Sequence, residues 1–585
     1  MNKEPKNIWN KPLKPSVNVL LWVVLVLTLF LVGLAIFGLA IANVNPPYPY
    51  YYWLLAAGFA LLAVLAIAFV RWLCCWRNFK RFLFGVACFV TLIALFYAEE
   101  DWRGKHAWDQ FKHQWEAKGE RFDFVSVVPP PVPDDQNFAL TPIAFTSYGS
   151  ILTRDGKRIP YESRDTNFVE RIKMEISHYY DWPTNGTGNW QKSTVSDLRV
   201  WQNYYRALAA KTNEFSVPLQ PQSPAEDVLV ALSKYDSVIE ELREASRLPC
   251  SRFPLNYDSE SPSAILLPHL GALKKCSQTL QLHSIAELQN GQPEKAMADV
   301  KLALQLTDKI RTEPFLISHL VRIAMVNLML QPIYEGLAEH RWSDEQLVTL
   351  DAELAKPDFV ADYKLSMRGE LGCQGGEMDR LRRHPELIQG MSGWGGDEED
   401  GHNPSLPGKI AARLIPTGWF YQNQFRCARM MVDYYLPVAD VNEGTFSPDL
   451  VRRGAAVLVA ETKTAGPFNV LERLMLPALG AGARRFAYAQ SSVNLARTAI
   501  ALERYQLAHG TYPGSLDALV PQFIARLPLD VINGQPLRYR LEANGPFVLY
   551  SVGWNEADDG GEVGRIKYGT PDISEGDWVW RYPQK

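Results

Sequence analysis

A chain of 585 residues is too long for one hydrophobic core and predicts two or three domains. Its net charge of −4 and its mean hydropathy near zero are typical of a soluble protein, and it has no basic patch with interleaved aromatic residues, which argues against nucleic-acid binding. Between Lys14 and Arg71, however, the chain carries no charged residue, which excludes a protein that is soluble throughout.

Three apolar stretches in residues 1–100 are predicted to be membrane-spanning helices. A proline cluster at 46–49 interrupts the uncharged region and leaves spans of about 19–42 and 53–70, and a third span covers about 82–98. Each stretch has about 17 to 24 residues, which is enough to cross roughly 30 Å of hydrocarbon as a helix. The segment is therefore predicted to be a transmembrane anchor.

The distribution of basic residues predicts the orientation of these spans. Lysines and arginines are concentrated before the first span and between the second and third spans, and none lies between the first and second. Because short cytoplasmic flanks carry the excess of basic residues, the N-terminus is predicted to be cytoplasmic. Three crossings of a bacterial inner membrane then place the residues after about 99 outside the cytoplasm. The basic residues are Lys3, Lys6, Lys11, Lys14, Arg71, Arg77, Lys80 and Arg81.

Residues 101–142 are predicted to form a helix next to the membrane, followed by a stiff spacer. Trp108, Phe111 and Trp115 fall on one stripe of this helix. The stripe favours either a helix that lies on the bilayer surface or a helix that packs its aromatic side chains on the following domain. Four prolines between 129 and 133 then favour an extended polyproline segment.

The region 143–465 is predicted to be a mainly α-helical domain with its core at about 224–355. Two serines mark helix starts there, each with Glu or Gln three residues later in the capping-box arrangement: Ser223 with Glu226, and Ser343 with Gln346. The apolar run at 316–337 contains His319 and Arg322, which favours a helix in the domain core over a fourth membrane span.

One stretch of this domain, 282–306, resembles a tetratricopeptide helical hairpin. Gly291, Ala296 and Ala303 have the relative spacing of the small residues in that repeat, where Gly ends the first helix and the alanines let the helices approach closely. Such hairpins usually present a groove to a peptide or protein, so the resemblance implies binding. An ordinary antiparallel helix pair is the alternative.

The segment 466–585 is predicted to be an α+β domain, a long helix on a small antiparallel sheet. Apolar residues recur every seven positions along the helix: Phe486, Val493, Ile500 and Leu507. Gly510 is placed to end this helix in a left-handed conformation. Two strands are predicted to join at Asn544–Gly545, and residues 577–583 can form a third strand.

Short motifs follow one another in a fixed order along this segment: Y-x-x-x-x-G-x-Y-P, two leucines, P-x-D, G-x-P-x-x-Y, Y-S-x-G and D-I. Their residues are Tyr505, Gly510, Tyr512, Pro513, Leu516, Leu519, Pro528, Asp530, Gly534, Pro536, Tyr539, Tyr550, Ser551, Gly553, Asp572 and Ile573. Over about 100 residues the segment resembles the soluble domain of the major pseudopilin of the type II secretion system. The resemblance implies a pilin-like fold and a loop that binds calcium.

Seven carboxylates lie among glycines between Tyr550 and Trp578. Ca²⁺ takes about six to eight oxygen ligands and accepts carboxylates and backbone carbonyls from a flexible loop, in agreement with what the resemblance implies. The candidate ligands are Asp558, Asp559, Glu562, Asp572 and Asp577, with Gly560 and Gly561 allowing a tight backbone path. An acidic loop that is only solvated is the alternative. Without an ion, carboxylates held close together raise one another's pKa.

No sequence pattern identifies an enzyme. Motifs of zinc peptidases, serine hydrolases, Walker phosphate loops and dinucleotide-binding loops are absent. His269, His283 and His319 lie in or near predicted helices and are interpreted as structural histidines. A catalytic pair of carboxylates from distant parts of the chain stays open, because such pairs need no local motif.

Four cysteines follow the third predicted span: Cys250, Cys276, Cys373 and Cys427. In an oxidising compartment they could form disulfides, and four cysteines allow three pairings. The sequence favours none of the three.

Three functional hypotheses follow from these features. The first is an envelope protein, anchored by three helices, that binds another protein, a peptide or a surface polymer without catalysis. The second is an envelope hydrolase that acts on glycan or peptide. The third is an accessory component of a type II secretion or pilus-like system. The sequence lacks the pseudopilin leader that is cut before Phe-Thr-Leu, so filament assembly is not expected.

Overall fold

The computed structural model describes residues 76–145, 186–388 and 412–583, with short gaps at 213, 465, 543–544 and 567–570, and single residues or short strands between 58 and 72 and between 150 and 183. The first predicted span and nearly all of the second lie outside the described residues, as does Asn544 of the predicted turn. By its internal contacts the chain divides into two units, Met1–Trp102 and Arg103–Lys585.

Helix α1 runs from Trp76 to Glu116 and contains the third predicted span. The apolar side chains of that span are exposed, for example Phe84 at 72% and Phe89 at 64%. A window of α1 has a mean hydropathy of 2.1 and no buried residue, so this helix is long and apolar enough to cross a membrane. Exposed apolar surface of this extent is expected where lipid, and not water, surrounds a helix.

The second unit is mostly helical, with small antiparallel sheets towards the C-terminus. Its helices are α2 (Pro142–Phe145), α3 (Leu198–Ala209), α4 (Pro224–Leu232), α5 (Asp236–Ser246), α6 (Pro268–Gln289), α7 (Pro293–Asp308), α8 (Leu316–Ala338), α9 (Asp344–Leu354), α10 (Phe359–Arg383), α11 (Thr417–Met430), α12 (Pro448–Thr462), α13 (Val470–Met475) and α14 (Pro477–His509). Nine short strands complete it: β1 (Ser150–Leu152), β2 (Arg158–Pro160), β3 (Ala439–Asp440), β4 (Thr445–Phe446), β5 (Arg538–Glu542), β6 (Gly545–Ser551), β7 (Val563–Arg565), β8 (Pro571–Gly576) and β9 (Trp578–Arg581), counting only the part of the chain described.

Both predicted capping boxes are present. The Ser223 hydroxyl accepts from the backbone N–H of Glu226, whose carboxylate accepts from the Ser223 N–H at 3.0 Å, and this exchange starts α4. Ser343 and Gln346 make the same exchange at the start of α9. Because both bonds are local, the sequence alone was enough to locate these two helix starts.

Helix α8 forms part of the core of the second unit, as predicted. It is the second described helix that is long and apolar enough to cross a membrane, yet 61% of its apolar window is buried inside the protein. His319 and Arg322, which argued against a membrane span, are both fully buried in this helix. A helix buried in a large domain and a helix that spans a membrane are both apolar all round, because neither faces water. The buried fraction of the side chains distinguishes a core helix from a membrane-spanning one.

Helices α6 and α7 pack closely against each other across a three-residue connection. Gly291 in this connection has a φ of +73°, a conformation that Gly adopts without strain. Ala296 and Ala303 are completely buried, which lets the helices approach. The tetratricopeptide resemblance stays a prediction.

The residues of α1 after Trp102 belong to the second unit and pack their aromatic side chains in its core. Trp108 and Phe111 are buried, and their rings lie 5.4 Å from Phe122 and 5.3 Å from Phe425 respectively, measured between ring centroids. Trp115 is half-buried. Of the two interpretations of this stripe, docking on the following domain is confirmed.

The long C-terminal helix α14 ends as predicted. Gly510 has a φ of +77°, and its N–H donates to the Gln506 carbonyl at 2.8 Å. Phe486, Val493 and Ile500 of the predicted stripe are buried, but Leu507 is 47% exposed. The last turn of α14 therefore extends past the core, although the heptad pattern of apolar residues continues into it.

Strands β5, β6 and β9 form an antiparallel sheet in that order. The third predicted strand is confirmed as β9, with Leu549 of β6 opposite Trp580. Strands β7 and β8 form a separate hairpin inside the acidic loop, where the sequence predicted no strand. Trp580 joins the same hydrophobic core as residues of α6, α8 and α14. A separate domain beginning at 466 stays a prediction.

The cysteines of the second unit are free thiols. Cys276, Cys373 and Cys427 are buried and Cys250 is partly exposed, and none of the four forms a disulfide. Burial raises the pKa of the Cys276 thiol to about 12. None of the three pairings left open by the sequence is present among them.

Candidate binding cleft and acidic loop

The structure brings three of the five predicted calcium ligands to one loop. Asp577 is buried just before β9 and accepts hydrogen bonds from the backbone N–H groups of Gly561 at 2.6 Å and Asp559 at 3.3 Å. The carboxylate of Asp558 accepts from the Tyr550 hydroxyl at 3.0 Å. Asp558 and Asp559 are exposed, so the loop presents two carboxylates to solvent above a buried one.

The other two predicted ligands have different environments. Asp572 lies on β8, where it accepts from the hydroxyl of Ser574 at 2.5 Å and from its N–H at 2.9 Å. These hydrogen bonds lower the pKa of Asp572. The side chain of Glu562 is exposed, and its backbone carbonyl accepts from the N–H of Asp577 at 2.8 Å. Within the described ranges, no group of three or more His, Cys, Asp or Glu residues is arranged to hold a metal ion.

Asp577 is a buried carboxyl group with a raised pKa. Burial, together with the neighbouring carboxylates of Asp559 and Asp558, raises the pKa of Asp577 to about 6. Two backbone N–H donors oppose that rise without cancelling it. Calcium binding stays a prediction.

The first testable prediction concerns pH. A carboxyl whose pKa is raised by folding favours the folded state in its protonated form, so its contribution falls as pH rises from about 4 to the folded pKa of Asp577, about 6. In the presence of a chelator, we expect a higher midpoint of thermal unfolding at about pH 5 than at about pH 7.5. At the higher pH, millimolar Ca²⁺ should recover the loss.

Asp577→Asn is the matched variant, because asparagine has nearly the same side-chain shape as aspartate but no ionisable carboxyl group. The pH dependence of wild type minus that of Asp577→Asn isolates this carboxyl from others that titrate in the same range. Equal pH dependence of the two proteins would contradict the assignment, and identical melting with chelator and with Ca²⁺ would contradict the cation.

A basic cleft of about 860 Å³ lies between the start of α10 and the segment that follows α1. Five cationic side chains line this cleft: Arg121, Arg311, Lys356, Lys364 and Arg368. Asp358 and Asp362 are its acidic residues. A formal charge of +5 − 2 = +3 makes the cleft attractive to anions, although the chain as a whole is acidic.

Three of the five cations have no close counter-charge. Arg368 pairs with Glu120 at 3.1 Å and Lys356 with Glu353 at 2.5 Å. Arg121, Arg311 and Lys364 have no carboxylate within 4.0 Å in the part of the chain that the structure describes. Burial and then the neighbouring Arg368 lower the pKa of Lys364. An anion bound in the cleft would reduce the repulsion between these positive charges.

The wall of the cleft is held in place by backbone contacts. Val128 (φ −65°, ψ 128°) has polyproline-type backbone geometry, and Pro129 accepts a hydrogen bond on its carbonyl from Arg252 Nε at 3.0 Å. On the other wall, the Asp358 carboxylate caps α10 by accepting from the N–H groups of Val360 and Ala361. The cleft is thus a preformed groove and not an opening between mobile loops.

A buried network of charged residues lies behind the cleft. Arg322 contacts Asp362 and donates to Asp308 Oδ1 at 2.8 Å. His319 Nε2 hydrogen-bonds to the Glu313 carbonyl oxygen at 2.8 Å, and burial lowers the pKa of His319 to about 4, so its ring is neutral. Arg322 and His319 are fully buried, which suits a structural role better than proton transfer to a substrate.

The two other histidines singled out from the sequence also have structural partners. His269 Nε2 lies 2.7 Å from Glu313 Oε1 and is 1% exposed. His283 Nδ1 lies 2.6 Å from Asp299 Oδ2, and the Asp299 hydrogen bond raises the pKa of His283 despite its burial. The interpretation of all three as structural histidines agrees with these contacts.

Comparison with known proteins gives no neighbour. No protein-family model, no curated protein and no solved structure matches this chain. The pseudopilin resemblance therefore stays a prediction.

Sequence reasoning did not find the basic cleft. Its cations come from three stretches that are far apart in the chain, near 121, 311 and 356–368, and none of the three is a run of basic residues. Asp358 caps α10 in the structure, but a capping residue marks a helix start and not a binding site.

Proposed function

We propose that this chain is a bacterial envelope protein, anchored in the inner membrane, whose extracytoplasmic part binds an acidic segment of a partner protein in the basic cleft. The observation that carries the proposal is the set of three cleft cations without a carboxylate within 4.0 Å in the described structure, Arg121, Arg311 and Lys364. Guanidinium and ammonium groups without a partner are ready donors for carboxylates.

The lining of the cleft favours an extended peptide. Val127, Val128 and Leu365 give it an apolar wall beside the cations, so a segment with acidic and aliphatic residues would satisfy both surfaces. A volume of about 860 Å³ is within the range of protein ligand sites. Because complementary charge speeds encounter, the interaction should be sensitive to salt.

The two acids of the cleft support binding over hydrolysis. Asp358 is engaged by the backbone of α10, and Asp362 by the buried guanidinium of Arg322. A hydrolase needs one carboxyl free to give or take a proton at the substrate. No observation favours the hydrolase hypothesis specifically, so we retain binding alone.

Two further parts of the proposal rest on other observations. The apolar, exposed first half of α1 supports a membrane anchor. The carboxylates around Asp577 support calcium as a stabilising ion of the C-terminal region. A reporter fused to the C-terminus tests the topology: activity of an export-dependent reporter is expected, and activity of a cytosol-dependent one would contradict extracytoplasmic placement.

The second testable prediction concerns the cleft itself. Replacing Lys364 and Arg311 by Glu reverses two of the unpaired charges, and we expect at least about tenfold weaker binding of a fluorescent Glu- and Leu-containing peptide. The purified full chain in detergent and fluorescence anisotropy are sufficient for the measurement. The slope of affinity against salt concentration should also become shallower.

Lys274→Glu is the matched control, because Lys274 is an exposed cation of α6 outside the cleft. It should leave peptide affinity nearly unchanged. If the cleft variant binds the peptide as well as the control does, the cleft is not the binding site. Binding of an acidic polysaccharide but not of the peptide would instead identify a polymer as the partner and reject the peptide.

A further inference from the structure

The corner between α12 and α13 carries an exposed patch that is apolar and basic. We define the corner patch as Val459, Lys463, Val470, Arg473 and Leu474. Val459 is 70% exposed, Leu474 48% and Val470 42%, and both basic residues are also exposed. Exposed apolar side chains on two consecutive helices are typical of a surface that meets another molecule.

The corner is held in a fixed shape by Asn469. Its side chain donates to the carbonyls of Glu461 at 2.8 Å and Thr464 at 3.0 Å and accepts from the N–H of Gly466 at 2.9 Å. Asn469 is itself buried. These hydrogen bonds connect the end of α12 to the residue just before α13.

The patch lies where the second unit begins. The guanidinium of Arg103, the first residue of this unit, sits over the Phe468 ring at 5.7 Å. Phe468 is only two residues before Val470 of the patch. Gly104 packs so closely on α11 that an added Cβ would lie 2.2 Å from the Gly418 carbonyl oxygen, so the start of the unit is fixed at this place.

The position of Arg103 in the chain lies close to the end of the third predicted membrane span. Arg103 follows the end of the predicted span at about 98 by only five residues, which is about 7 to 8 Å along a helix. A surface beside Arg103 is therefore within reach of the lipid headgroups, if the apolar half of α1 crosses the bilayer.

The charges of the patch match a lipid surface. Lys463 and Arg473 can reach phosphate groups while Val459, Val470 and Leu474 enter the boundary of the acyl chains. The two acids next to the patch residues in sequence are not free: Glu461 contacts Arg429 and lies 3.4 Å from Arg426, and Glu472 is fully buried. Neither of them is therefore an exposed, unpaired carboxylate.

We infer that the corner patch is a membrane-contact surface that seats the extracytoplasmic part on anionic phospholipid headgroups. This inference rests on the membrane anchor of the proposed function and adds a second, interfacial attachment to it. Such a contact limits how the basic cleft can turn relative to the membrane, so partners would meet the cleft in a restricted orientation.

The test uses the full chain in lipid nanodiscs. A photo-crosslinking benzoylphenylalanine is placed at Val459 or at Leu474, with Leu219 and Val348 as controls, because these are exposed apolar positions outside the patch. After irradiation, lipid adducts are counted by mass spectrometry in discs with and without phosphatidylglycerol. We expect adducts at 459 and 474, more of them with the anionic lipid, and background levels at 219 and 348.

Charge reversal gives the second arm of the test. Lys463→Glu and Arg473→Glu should each reduce the adducts at 474 by about fivefold in anionic discs, in keeping with the strength of one basic residue at an anionic surface. Lys274→Glu, on an exposed position away from the patch, should have no effect.

Each outcome has a definite meaning. Adducts at 459 and 474 no higher than at the control positions would overturn the inference, as would crosslinks to a second copy of the chain in place of lipid. Recovery of the wild-type chain with the discs reports the anchor separately: if the chain does not stay with lipid at all, the proposed membrane anchor fails. Peptide binding to the cleft is measured in detergent and is independent of both.

Discussion

Replacing Arg322 with alanine is expected to lower the free energy of unfolding by about 3 to 5 kcal/mol. The guanidinium is fully buried, contacts Asp362, and donates to Asp308 at 2.8 Å and to the Thr307 carbonyl at 3.1 Å. Truncation removes the counter-charge and leaves the Asp362 carboxylate buried and unpaired.

Denaturant unfolding of the purified chain, followed by tryptophan fluorescence, measures this effect. Arg341→Ala is the matched control, because Arg341 is an exposed arginine that pairs with Glu339 at 3.1 Å, and it should change stability by less than about 1 kcal/mol. The double variant Arg322→Met, Asp362→Leu removes both charges and should recover much of the loss. Equal effects of the two alanine substitutions would contradict the ionic network.

Trp580→Ala is expected to destabilise the protein by about 3 to 5 kcal/mol. The Trp580 ring is completely buried, with its centroid 5.4 Å from Tyr334 of α8 and 5.3 Å from Trp190. The Tyr334 hydroxyl also donates to the Arg581 carbonyl at 2.9 Å. Strand β9 therefore packs against the helical core. The alanine substitution leaves a cavity between them and removes these contacts.

The same experiment separates two views of the C-terminal region. If the core is continuous, Trp580→Ala shifts one cooperative unfolding transition, and this is our expectation. If 466–585 is an independent domain, only a separate C-terminal transition should move. Leu219→Ala is the control, because a fully exposed side chain should contribute less than about 0.5 kcal/mol. A Trp580→Ala protein as stable as this control would contradict the packing.

The parts of the fold that sequence could predict are those fixed by neighbouring residues. The capping boxes at Ser223 and Ser343 and the left-handed Gly510 each depend on atoms within four residues. The hydrophobic period of α14 was equally local and was correct as far as Ile500. Leu507 continues the same period and is nevertheless exposed, because periodicity indicates an apolar face and not how far the neighbouring core extends.

The parts that sequence could not predict depend on distant residues meeting. Arg322 was seen as a reason to reject a membrane span, but its partner Asp362 is forty residues further along. The basic cleft joins Arg121, Arg311 and Lys364 across a still greater length of chain. The carboxylates of the acidic loop were easy to recognise in the sequence, but their arrangement was not. Asp572 lies on a separate hairpin, where it accepts a hydrogen bond from the Ser574 N–H.

The thiols of the second unit set a condition on biosynthesis. The thiolate is the species that attacks in disulfide exchange, and burial disfavours it at Cys276, Cys373 and Cys427. These three thiols are therefore poor nucleophiles in the folded chain, whereas a chain that is still extended leaves them exposed. In the oxidising compartment that we propose, the chain must bury these thiols faster than they form disulfides. The yield of correctly folded protein then depends on the ratio of the folding rate to the rate of disulfide formation.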